Sequence, residues 1–184
     1  MTVLGFKRLV HESRATEVAE AALVLPIVFM LLLGIYWFGR ALNTYETINH
    51  AALEAARLTA MHPCATCPFG NGPLGANVDL AGATVQQVLQ ASGLDPAQAA
   101  PISAETVPAC GPGGGSATCN VPSSGTPNIC VYTNVLLNST PSSAASLCGV
   151  SVSFQYPYQF YFPFTSLNLQ QLELKARVQM RAED

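Results

Sequence analysis

The sequence predicts a membrane-anchored α+β chain: a long N-terminal helix lying on a small antiparallel sheet, the whole braced by disulfides. Three observations carry this. A run of 19 residues without a charge, Ala21 to Gly39, stands near the N-terminus. All six cysteines follow that run. The last third of the chain alternates apolar and polar residues with the period of a strand.

With 184 residues there is room for an anchor and one domain. Charged residues make up only 10%, less than half the share of an ordinary soluble domain, so part of the chain faces something other than water. Between Arg57 and Lys175 there is no Lys or Arg, only the acidic Asp79, Asp95, Glu105 and Glu173. A nucleic-acid surface needs clustered cations to displace counterions, and this stretch has none.

The charge-free run, AALVLPIVFMLLLGIYWFG, spans ~28 Å as a helix, close to the hydrocarbon thickness of a bilayer. Tyr36, Trp37 and Phe38 close it with rings that favour the interface. Membrane helices tolerate a proline such as Pro26. Lys7, Arg8 and Arg14 precede the run, against Arg40 and Arg57 after it, which puts the N-terminus in the cytoplasm. A cleaved secretory signal would have a shorter apolar core and a small-x-small site, whereas this run ends in bulky aromatics and Arg40. The division that follows is a cytoplasmic segment 1–15, one long helix 16–62 with its membrane part at 21–39, and an extracytoplasmic domain 63–184.

Beyond the membrane, Leu42, Tyr45, Ala52, Ala55 and Ala56 form a mostly small apolar stripe. Asn43, Glu46, His50, Glu54 and Arg57 take the other face, with Glu54 and Arg57 spaced to pair. The stripe is expected to pack on its own domain. A short helix is predicted over Thr84–Ser92, stopped by Gly93, and Asp95-Pro96 reads as the cap of a further brief turn. Residues 110–128 are dense in Gly, Pro and Ser and read as an irregular loop. Strands are expected at 129–137, 150–160 and 172–181, with one face inward and one in water. Pro157 lacks a ladder donor and marks an edge or a kink.

Cys64, Cys67, Cys110, Cys119, Cys130 and Cys148 are an even set confined to the translocated part, as in a disulfide framework. Six cysteines allow 15 connectivities. Nearest-neighbour pairing, 64 with 67, 110 with 119 and 130 with 148, is the expectation, since it closes the slack glycine-rich loop. Cys64-Ala-Thr-Cys67 is not placed like a redox motif, which follows a strand and opens a helix; here prolines flank it after a helix. Nor does it find a second cysteine pair or two close histidines to make a zinc site.

Signs of catalysis are lacking. His11, His50 and His62 are too scattered for a metal centre, and no Gly-x-Ser-x-Gly elbow or phosphate-cradling loop appears. No enzyme activity, cofactor, metal or small-molecule substrate is expected. Asn138-Ser139-Thr140 matches a glycosylation sequon but reads as a turn before Pro141. Glu20 abuts the apolar run, where a carboxylate is costly unless it is paired or reaches the headgroups. It either sits in the headgroup layer or meets a positive charge from a neighbour.

The segment from Thr16 to Met61 resembles the TadE-like family of pilus-associated membrane proteins. The ordered matches are Glu20, Leu23, Val24, Leu25, Pro26, Gly34, Phe38, Gly39, Arg40, Ala55, Ala56 and Arg57. The alternating strand ending near Arg181 and Glu183 is similar too. The resemblance implies a non-enzymatic pilin-like subunit, a pseudopilin or minor pilin of a tight-adherence pilus, in the inner membrane of a bacterium. It implies packing against other pilin-like subunits through Glu20, Pro26, Gly34, Gly39 and Arg40. It also implies a prepilin peptidase cutting a basic leader between Ala15 and Thr16, although Ala15 replaces the family's glycine and Ala21 its aromatic. Glu20 would then pair with the new amino group of an adjacent Thr16. Two other readings remain: a stationary envelope scaffold, and a tethered thiol-disulfide enzyme using Cys64 and Cys67.

Overall fold

The computed structural model describes residues 3–61, 74–102, 105–110, 115–138, 147–159 and 171–181. Two helices lie on one face of a three-stranded antiparallel sheet. Helix α1 runs unbroken from Val3 to Ala60 through Pro26, so it starts within the segment read as the cytoplasmic N-terminus. Helix α2 spans Leu74–Ala91, and a 3-10 turn follows at Pro96–Gln98. The strands are β1 (Cys130–Leu136), β2 (Cys148–Gln159) and β3 (Gln171–Arg181), in the order β1-β2-β3. Phe160 lies outside the described residues.

α1 changes character along its length. None of its apolar window is buried by the rest of the chain, and Leu25 and Ile35 are about 70% exposed (69% and 71%). From Ala41 onward one face is buried: Ala41, Thr44, Ile48, Ala51, Ala52, Ala55, Ala56, Thr59 and Ala60. This corrects the phase of the expected stripe, because Leu42 and Tyr45 are exposed. Thr44 and Thr59 pass as apolar on this face because their hydroxyls bond back to helix carbonyls, Thr44 to Arg40 and Thr59 to Ala55. Such small side chains let α2, β2 and β3 approach the helix closely. On the outer face Glu54 pairs with Arg57 at 3.8 Å, as its spacing predicts.

α2 begins ten residues before the expected Thr84. Its buried face, Val78, Ala81, Val85 and Leu89, includes an alanine that carries little hydrophobic signal in sequence. Gly82 faces Pro122, and a Cβ there would meet the proline ring at 2.7 Å, so the 120s segment crosses α2 at a distance only glycine allows. Asp79 holds the crossing by accepting from the Ser123 N–H and hydroxyl. Gly93 ends the helix at φ 72°, and Asp95 caps the next turn by accepting from the Ala97 N–H.

The main core lies between helices and sheet: Ile48, Val85 and Leu89 meet Ile129, Val131, Val152 and Phe154, all fully buried. The sheet's other face does not simply meet water, which corrects the expected half-exposed β2. Ser151 and Ser153 are fully buried, beneath a second cluster of Val107, Cys130, Tyr132 and Val135. The supposed loop after Cys110 helps build that cover. Asn120 exchanges both backbone bonds with Val131, and Leu136 donates to Pro108, so the outer edge of β1 is occupied. Asn134, at φ 60° in the bulge between Tyr132 and Val135, donates its amide to the Cys110 carbonyl.

Pro157 sits on the central strand yet at a local edge. Gln155 exchanges both backbone bonds with Ala100, so its N–H points away from β3. Pro157, two residues on, presents its missing donor to the same side, beyond the last β1 pair at Ser153.

Candidate functional site: the bare helix and the foot of the domain

The apolar half of α1 carries most of the residues singled out by sequence. Ala15 and Thr16 lie inside the helix. Glu20 is exposed at the head of the apolar run, and among the described residues it has no ion-pair partner. Gly34 and Gly39 face open space, with no atom within 4 Å of where a Cβ would stand. Nothing in the chain's own fold requires small residues there. The helix is therefore a surface offered to lipid or to another helix, and by length and composition it can cross a membrane.

Where α1 leaves this apolar stretch, the domain's foot closes on it. The Tyr158 hydroxyl donates to the Trp37 carbonyl at 3.1 Å, tying the end of β2 to the helix. Burial pushes the Tyr158 phenol above its ordinary pKa, and the nearby Arg40 charge opposes that push. Tyr36 and Trp37 meet edge to face at 5.4 Å. Beside them is a pocket of about 420 Å³ lined by Trp37, Arg40, Gln98, Tyr158, Gln159 and Gln171. Sequence pointed to Arg40 alone among its polar members. Gln98, Gln159 and Gln171 come from three separate elements, and no local pattern connects them.

A second polar group lies on the far face of the sheet. Ser153 donates to Glu105 at 2.5 Å, and Glu105 pairs with Arg177 at 3.0 Å. Tyr132 beside them has its phenol pKa raised, by burial first and by the Glu105 charge second. These partners satisfy one another, and the pairing holds the 105–110 segment to β2 and β3.

The disulfides differ from expectation. Cys110 is joined to Cys148 and Cys119 to Cys130, a nested pair in place of 110–119 and 130–148. The cause is the edge pairing: Cys110 donates to the Asn134 carbonyl and lies beside the β1 end that faces Cys148, while Asn120 is held opposite Val131. Cys64 and Cys67 lie outside the described residues. Among the described residues no group of His, Cys, Asp or Glu is arranged to hold a metal.

Among protein families, the one described as TadE-like protein matches the chain over residues 16–57. The chain carries a TadE-like segment. It covers the bare half of α1, Arg40, and the alanine stripe as far as Arg57, so it joins the lipid-length helix to the domain's core. The TadE-like family is a structural, pilus-associated one. No curated protein and no solved structure matches the chain. The TadE-like segment thus ends before α2 and the sheet, which are described by their own geometry alone.

Proposed function

We propose that this chain is a non-enzymatic pseudopilin or minor pilin of a tight-adherence pilus, anchored in a bacterial inner membrane with its N-terminus in the cytoplasm. It works by lateral packing of α1 against other pilin-like subunits, and its disulfide-braced domain is displayed outside. The observation that carries this is α1 itself: one unbroken helix whose apolar half is uncovered and whose other half is the spine of the domain. That is the form a subunit needs if its membrane helix is to move from lipid into a bundle of neighbours without disturbing the domain. Open glycines at Gly34 and Gly39 suit close helix approach.

In this reading a prepilin peptidase cuts between Ala15 and Thr16. Glu20 then meets the amino group of a neighbour's Thr16, a charge-assisted contact that sets helix register at the edge of the hydrocarbon. Intact mass and N-terminal sequencing of the protein from its native membrane test this. A mature chain starting at Thr16 is the expected result, and Glu20→Ala should then abolish incorporation without unfolding the domain. A chain that still carries its first 15 residues would leave the stationary envelope scaffold as the better account. One observation favours that second reading: α1 runs helically across the Ala15–Thr16 bond, which a peptidase would have to unwind.

A further inference from the structure

We propose that the pocket at the foot of the domain seats the phosphate of a membrane phospholipid headgroup. The first argument is depth. Arg40 is the first charge after the 19 uncharged residues of the apolar run, so the pocket stands where a spanning helix emerges among the headgroups. The second is chemistry. Its polar lining is one guanidinium, three side-chain amides and a phenol, with no carboxylate among them. A guanidinium binds phosphate bidentately, and amides can donate to the remaining phosphate oxygens or to a headgroup hydroxyl. The third is construction. Two strands and the 3-10 turn converge on Arg40, and the Tyr158 bond to the Trp37 carbonyl fixes the pocket wall to the helix. A pocket of about 420 Å³ admits a glycerophosphate group but not a folded protein segment of any length. In this arrangement the lipid sets the depth and tilt of the domain on the membrane.

The proposal rests on α1 spanning a membrane and not on pilus assembly or leader cleavage. Trp37 is the only tryptophan in the chain, so intrinsic fluorescence reports the pocket directly. The full-length protein in a neutral maltoside detergent would be titrated with short-chain phosphatidylglycerol, with the matching diacylglycerol, and with inorganic phosphate. Expected is a saturable fluorescence change with phosphatidylglycerol, at least tenfold weaker in Arg40→Gln and partly restored in Arg40→Lys. Diacylglycerol, lacking phosphate, should give only a linear drift. Saturation by inorganic phosphate at comparable concentration would overturn the headgroup assignment in favour of a free-phosphate site. Equal responses to both lipids, or an unchanged response in Arg40→Gln, would show simple detergent mixing and overturn the site altogether. Circular dichroism of each variant, with Gln171→Leu as a second pocket variant, keeps loss of binding separate from loss of fold.

Discussion

Ser151 and Ser153 stand two residues apart on one face of β2, both fully buried, and they differ in a single respect. Ser153 donates to Glu105, whereas the Ser151 hydroxyl has no hydrogen-bond partner among the described residues. A buried hydroxyl without a partner forfeits its hydration, so Ser151→Ala should be neutral or stabilising by about 1 kcal/mol. Ser153→Ala should destabilise by about 1–2 kcal/mol, because it strips a partner from a nearly buried carboxylate. Chemical denaturation of both variants decides it, and the opposite order would refute the hydrogen-bond assignment. Tyr132 adds a pH signature. Its phenol pKa is raised above 10.0, chiefly by burial. The folded state thus holds this proton more tightly than the unfolded chain does. That stabilisation is complete below pH 10 and is lost as pH rises through the raised value. Tyr132→Phe has no phenol to ionise. Its stability should decline less steeply than the parent's above about pH 10, and parallel declines would mean other tyrosines set the alkaline limit.

At the scale of elements, α1 poses the same question twice with different answers. Ala52 is fully buried against the core, while Gly34 has open space around it. Ala52→Leu should overpack the helix–sheet interface and destabilise by about 1–3 kcal/mol. Gly34→Leu should leave the unfolding midpoint of the detergent-solubilised protein where it is, yet reduce co-purification of other pilin-like subunits. A fall in midpoint for Gly34→Leu would mean the glycine serves the chain's own fold. The sequence made these elements legible wherever the signal was local. The charge-free run, the strand alternation of β3, the Gly93 stop and the Asp95 cap all depend on neighbours in the chain. What stayed hidden depended on distant partners. Just after Arg40 the bulky Leu42 and Tyr45 suggest one phase for the stripe, but close packing buries Ala41, Thr44 and Ile48. The sequence signal for α2 is short because Ala81 matters through burial and Gly82 through its fit to Pro122, and neither through hydrophobicity. At the candidate pocket Arg40 was legible, since a charge after a long apolar run stands out. The three glutamines became neighbours only through the closing of β2, β3 and the 3-10 turn on the helix.

Across the whole molecule, the stretches 105–110 and 115–120 join parts that the sheet alone would leave separate. Together they cover the outer edge of β1, bury the second face of β2 and carry one cysteine of each described bridge. The nested connectivity follows from that path, since a chain laid along β1 brings Cys110 to the start of β2 and Cys119 to the start of β1. The bridges should therefore differ in worth. Cys110–Cys148 spans 38 residues and Cys119–Cys130 spans 11, so the longer one removes more freedom from the unfolded chain. Loop-closure entropy puts the difference at about 1 kcal/mol, reduced somewhat because the shorter loop lies within the longer. Replacing Cys110 and Cys148 together by serine should accordingly lower stability more than replacing Cys119 and Cys130. Peptide mapping under non-reducing conditions comes first, and a 110–119 linked peptide would overturn the described path. If the mapping gives 110–148 and 119–130 but the two double variants unfold alike, the segment is held by its ladder bonds to β1, and the longer bridge adds little to them.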